Sequence, residues 1–94
     1  MKRFHVYILT NNSRTLYTGV TSNIRIRIMQ HETKAKPSSF SARYNINKLV
    51  YFEEFAEAGL AMIREKQIKR LLRKKKIALI ESMNPEWNDL SIGL

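Results

Sequence analysis

The stretch from His5 to His31, HVYILTNNSRTLYTGVTSNIRIRIMQH, constrains this chain more than any other, and it contains no acid. Its first part reads as a hairpin. Phe4 to Leu9 and Thr15 to Val20 are rich in β-formers, and Asn11-Asn12-Ser13 between them is turn chemistry. A hairpin turning about Asn12 sets Tyr7 opposite Tyr17 and His5 opposite Gly19. Side chains alternate along a strand, so both tyrosines fall on one face. Taken alone, such a pair is also an ordinary cross-strand aromatic contact. Gly19 is read as relieving the backbone at the end of the second strand.

Thr21, Ser22 and Asn23 are good N-caps and predict a helix from Ile24. The run Ile24-Arg25-Ile26-Arg27-Ile28 also alternates with period two, and periodicity does not choose between helix and strand. On a helix, Arg27 and His31 share a face and can serve one anion. Thr33 to Ser41 reads as a polar loop, and Arg43 to Asn47 as irregular or briefly extended. Leu49-Val50-Tyr51-Phe52 is the strongest apolar run and predicts a central strand ending at Glu53-Glu54. Those two acids point to opposite faces of a strand and do not form a shared carboxylate pair.

From Glu57-Ala58-Gly59 a helical pattern runs, with Leu60, Ile63, Ile68, Leu71 and Leu72 as its apolar face. Glu65 stands alone among bases there, and by spacing it is also an i,i+4 partner for Lys69. Arg73 to Lys76 marks a break before a second helix, roughly Lys74 to Glu81. Asn84-Pro85 ends it, and Trp87 to Leu94 packs back on the body.

Charge narrows the partner. The net charge is +9 in 94 residues. Residues 1–47 hold eight Lys/Arg against Glu32 alone, and Arg64 to Lys76 holds eight bases against Glu65 alone. Concentrated positive charge of this kind suits a polyanion, bound by ion pairing and counterion release. An apolar content of 44% supports one folded domain over 1–94 rather than disorder. With no cysteine, disulfides and thiolate metal sites are excluded. No signal-peptide pattern and no apolar run of about 18 residues occurs, so a soluble, cytoplasmic protein is expected.

Taken together, these residues resemble the GIY-YIG nuclease family, and its small single-domain bacterial members in particular. The first family tripeptide falls on His5-Val6-Tyr7 and the second on Tyr17-Thr18-Gly19. The family's helix arginine falls on Arg27, a following histidine on His31, and its metal-binding glutamate on Glu65 within Ala61 to Lys66. A late asparagine matches Asn88, with Asn84 as the competing position. The likeness spans roughly residues 3–89. The first tripeptide has His5 in place of its glycine, and Val20-Thr21 stands where active members often carry a lysine.

The resemblance implies an α+β fold, a small three-stranded antiparallel sheet flanked by helices. It also implies DNA phosphodiester hydrolysis with one divalent ion, Mg2+ or Mn2+. Glu65 would hold the metal, Arg27 the phosphate, and Tyr7 would act as base or orient the water, its pKa lowered by Arg27, His31 and the metal. Tyr17, His31 and Asn88 would complete the catalytic group. Arg25, Lys66, Lys69, Arg70, Arg73 and Lys74 would hold DNA (or RNA), with structured or damaged DNA as the candidate substrate. The alternative is a nucleic-acid-binding module on the same scaffold with little or no catalysis. A third class is a basic protein docking on anionic membrane or a protein partner.

Overall fold

A computed structural model describes residues 3–33 and 44–94. Three strands form one antiparallel sheet in the order β2-β1-β3: β1 Phe4–Thr10, β2 Leu16–Thr21 and β3 Lys48–Phe55. Helices follow at α1 Ile24–Glu32, α2 Ala58–Arg70 and α3 Arg73–Met83, and a 3-10 turn at Leu90–Gly93 closes the chain. This is the α+β architecture expected. The predicted loop from Thr33 to Ser41 lies, apart from Thr33, outside the described residues. Among those described, no helix is long and apolar enough to cross a membrane.

β1, not β3, is the central strand. Val6 to Thr10 are all buried, because helices cover both faces of the sheet. The same double cover explains why β3 reads as a continuous apolar run although it sits at an edge. On one face Tyr7, Leu9 and Leu49 meet Ile24 and Ile28 of α1 together with Ile46. On the other, Val6, Ile8, Val50 and Tyr51 meet Ala61 and Ile68 of α2, Ile80 of α3 and Trp87. A bulge in β3 places Tyr51 opposite Ile8 and Leu49 opposite Leu9, so Val50 and Tyr51 join the same cluster.

The hairpin register differs from the expected one by two residues. Tyr7 faces Gly19, and Tyr17 faces Leu9. The turn is longer because the Asn11 side chain accepts from the Thr15 amide at 2.9 Å, while Arg14 takes a left-handed φ of 59°. An even shift preserves side-chain parity, so the two tyrosines still share a face. Gly19 also has a different purpose from backbone relief, since no glycine has positive φ. It lies inside β2, and a Cβ there would overlap the Tyr7 ring.

In α2 the buried face is Ala61 and Ile68, whereas Leu60 and Ile63 are exposed. Leu71 and Leu72 fall in the break before α3 rather than on the helix, and α3 itself runs to Met83. Asn84, 4% exposed, ties this end to the sheet. Its amide donates to the carbonyls of Val50 at 3.1 Å and Asn88 at 2.8 Å, and its oxygen accepts from the Asn88 amide at 3.0 Å. Trp87 is buried and donates to Glu81 at 2.8 Å, with the Arg14 guanidinium 4.3 Å from its ring. The adjacent acids of β3 diverge as strand geometry requires. Glu53 binds Arg64 and the Tyr51 hydroxyl, and Glu54 pairs with Arg3 and His5.

Candidate active site

Asn23 starts α1 by accepting from the Ile26 amide at 3.1 Å. Burial of Ile24 and Ile28 against the sheet then fixes the helix's rotation. Arg27 and His31 each follow these isoleucines by three residues, so they project from the adjoining stripe. Both reach the tyrosine face of the hairpin. The Tyr7 hydroxyl lies 3.4 Å from His31 Nε2, and the Arg27 guanidinium is near enough to favour its ionised form. The Tyr17 ring is centred 6.4 Å from Tyr7 and 5.4 Å from His31.

Glu65 comes from far along the chain. It lies four residues after buried Ala61 and three before buried Ile68, so it follows the buried stripe of α2. Its side chain is 15% exposed, and α2 packs against β1 and β2, the strands that carry the two tyrosines. The Glu65 carboxylate is near enough for its charge to act on the Tyr7 hydroxyl. Sequence spacing alone left this acid as a surface partner of Lys69, and that contact is real too, at 2.9 Å.

The electrostatics of Tyr7 run against expectation. Burial pushes its hydroxyl up to about 12, with Tyr17 and Glu65 adding to the rise and Arg27 opposing it by charge and hydrogen bond. A positive neighbour therefore does not by itself make Tyr7 a base. His31 moves the other way: burial, then the Arg27 charge, holds its pKa below the ordinary 6.5. At neutral pH the imidazole is uncharged.

The other expected residues are spread more widely. Asn88 is exposed, and its backbone binds the Asn84 side chain. No side-chain hydrogen bond joins Asn88 to the tyrosine group among the described residues. Arg25, Lys66, Lys69, Arg70, Arg73 and Lys74 are all exposed. Two of these are partly engaged, Lys69 with Glu65 and Arg73 with the Arg14 carbonyl at 2.7 Å. His5, in the glycine place of the first tripeptide, packs edge-on to Phe52 and reaches Glu54 at 3.3 Å. Its Nδ1 is buried without a hydrogen-bond partner among the described residues. Sequence reasoning missed the Glu53–Arg64–Tyr51 group entirely, since only strand pairing and helix packing bring those residues together.

Comparison with known proteins settles the family. A model of the GIY-YIG catalytic domain matches residues 3–78. The chain belongs to the GIY-YIG family. It is also 36% identical to a UPF0213 protein of Syntrophus aciditrophicus over 92% of this chain and 98% of that one. A UPF0213 protein of Clostridium perfringens is 41% identical over 83% of each chain. The solution structure of a UPF0213 protein from Bacillus halodurans superposes with a TM-score of 0.60 at 28% identity, covering 93% of this chain and 92% of that one. In this GIY-YIG chain the tripeptide tyrosines are Tyr7 and Tyr17, and its signature glycine, Gly19, makes room for the first of them.

A divalent ion suits the donor set. Mg2+ needs only one or two carboxylates and completes its shell with water and phosphate oxygens. Glu65 offers one carboxylate, which pairs with the Lys69 ammonium at 2.9 Å. No cluster of three His, Cys, Asp or Glu occurs among the described residues, so substrate phosphate would have to supply the remaining anionic ligands.

Proposed function

We propose that this GIY-YIG domain is a metal-dependent endonuclease that hydrolyses DNA phosphodiester bonds, with structured or damaged DNA as its substrate class. One observation carries the reading: α2, which carries largely buried Glu65, packs against the two strands whose tyrosines meet His31. An acid, a guanidinium, a neutral imidazole and two phenols around one point have the chemistry for phosphoryl transfer.

Arg27 offers its donor fork to a phosphate and neutralises the charge that grows on it. Glu65 would hold the Mg2+ or Mn2+ ion, which supplies Lewis-acid polarisation of the phosphate when bound. Tyr7 and His31 form a proton relay. The attacking water passes its proton to the Tyr7 oxygen as the Tyr7 hydroxyl passes its own to His31 Nε2. Such a relay never requires free tyrosinate at pH 7, which a hydroxyl titrating near 12 would not provide. Tyr17, beside both rings, orients the phosphate, and Asn88 is assigned by resemblance to closing the site. The exposed bases Arg25, Lys66, Arg70 and Lys74 face the flanking strand electrostatically.

Plasmid nicking tests this. Supercoiled DNA with Mg2+ or Mn2+ should be nicked, and Glu65→Ala and Arg27→Ala should each lose about 10²-fold or more. Full activity in either variant overturns the assignment. The Lys69 ammonium on Glu65 is the one observation favouring a binding module without catalysis. That reading predicts salt-sensitive DNA binding that survives Glu65→Ala, with no nicking under any metal.

A further inference from the structure

A concavity of about 640 Å3 opens beyond the end of the tyrosine hairpin, where the β1–β2 turn meets the entry to β3. Its frame is internally bonded. Asn11 donates to the Tyr44 carbonyl at 2.7 Å and accepts from Thr15, while Asp89 accepts from the Leu49 amide at 3.3 Å and from Ser91. The remaining lining is unspent. Asn12, Ser13, Asn45, Asn47 and Lys48 carry side chains with no hydrogen bond or ion pair among the described residues.

The size falls in the range of small-ligand sites, roughly 300–1,000 Å3. Its chemistry is specific in kind. Each of three carboxamides presents a donor beside an acceptor, the pattern that matches the edge of a nucleobase. Lys48 can meet one phosphate, and the Tyr44 ring, 46% exposed, offers a stacking surface at the rim. An apolar ligand would leave all those amides unpaired. Position agrees with chemistry: Asn11 directly follows β1, four residues from Tyr7. That separation is about 13 Å by strand rise, a few nucleotides along a chain.

We propose that this cleft receives one unpaired nucleotide of the substrate strand and reads its base, so that the domain favours DNA with a bulged, gapped or flapped nucleotide near the cut. The proposal rests on the nuclease reading for its substrate and on the cleft alone for its ligand. Two measurements on the full chain separate them. In the first, the side-chain amide resonances are followed by 15N NMR during titration with dAMP, with dTMP and with deoxyribose 5-phosphate. Signals of Asn12, Asn45 and Asn47 should shift saturably with the nucleotides but not with the sugar phosphate, equally in the Glu65→Ala variant. Equal shifts with sugar phosphate, or none with nucleotide, overturn the proposal.

In the second, cleavage of a duplex carrying a one-nucleotide bulge is compared with that of the intact duplex. The Asn12→Ala/Asn47→Ala double variant should lose about tenfold on the bulged substrate alone. Lys48→Ala, which keeps all the amides, should weaken dAMP binding while retaining the preference between bases. Wild-type cleavage with unmoved amide signals would sink the cleft and leave the nuclease standing. Moved signals with no cleavage of any substrate would do the reverse.

Discussion

Replacing Gly19 with alanine would place one methyl group against the hydroxyl on which the whole site converges. The new Cβ would lie 2.5 Å from Tyr7 Cζ and 3.0 Å from Cε2, with the hydroxyl oxygen nearest of all. Carbon contacts become comfortable near 3.5 Å, so the ring must retreat by about 1 Å. Tyr7 is fully buried, with no open side to move into. Overpacking costs about 1–3 kcal/mol, offset by the about 0.4–1 kcal/mol that alanine gains by stiffening the unfolded chain, because Gly19 has negative φ. The balance, about 1–2 kcal/mol, corresponds to a melting temperature lower by roughly 4–15 °C in a domain of this size. A 1 Å displacement of a catalytic group costs about 10²-fold in rate. Nicking rates and thermal melts of Gly19→Ala measure both effects. In a Tyr7→Phe background, which lacks the nearest atom, the stability cost of the alanine should shrink. Wild-type nicking and melting in Gly19→Ala would refute the view that this glycine exists to accommodate Tyr7.

Further outcomes follow from the same geometry. Lys69→Ala removes the ammonium from Glu65 and should tighten Mn2+ binding about twofold, read by calorimetry, as about 0.3–0.5 kcal/mol of competing i,i+4 ion pair is lost. Unchanged affinity would mean that the ion does not use this carboxylate. On the alkaline side, Tyr7 and Tyr51 are each raised to about 12, both by burial first. Stability from raised groups is complete below pH 10 and lost between about pH 10 and 12, up to about 3 kcal/mol for fully buried Tyr7, so urea midpoints should fall there and recover in part in Tyr7→Phe. His31, held below 6.5, binds fewer protons folded than unfolded. Stability should therefore decline as pH falls below 6.5 and nicking only at the lower pH where the folded imidazole takes up its proton; a His31→Gln variant should lose the acid limb of stability together with the nicking that depends on the relay. Asn84→Ala leaves the buried Val50 carbonyl without its partner and should cost about 2–3 kcal/mol in chemical denaturation. Asn88→Ala should leave the fold stable, so a matching loss of stability would show that its side chain has a structural role.

Much of the fold was readable because local signals agreed. Asn11-Asn12-Ser13 between two β-rich runs meant a hairpin, and Asn23 before Ile24 meant a helix start despite the alternating isoleucines, because a side-chain cap decides what periodicity cannot. The register departs from the expected one where a side chain intervenes: Asn11 closes a wider turn, and no propensity encodes that. The apolar run of β3 is the strongest in the chain and reads as a central strand, whereas burial by helices on both faces makes an edge strand look the same. The spacing places Leu60 and Ile63 with Ile68 on the apolar face of α2, yet the helix turns Ala61 and Ile68 inward, where a small residue lets it approach the sheet.

By itself, then, the chain order determined which of these residues share a face, since tyrosines on one strand face and Arg27 four residues before His31 follow from periods of two and 3.6. It also determined the positive charge that suits a polyanion. Tertiary structure alone decided three things: that Glu65 reaches Tyr7 across 58 positions of sequence, that Gly19 is a space rather than a hinge, and that Tyr7 titrates near 12. The physical reason is common to all three. Proximity, overlap and desolvation depend on what the rest of the chain packs around a group, and no local pattern specifies that.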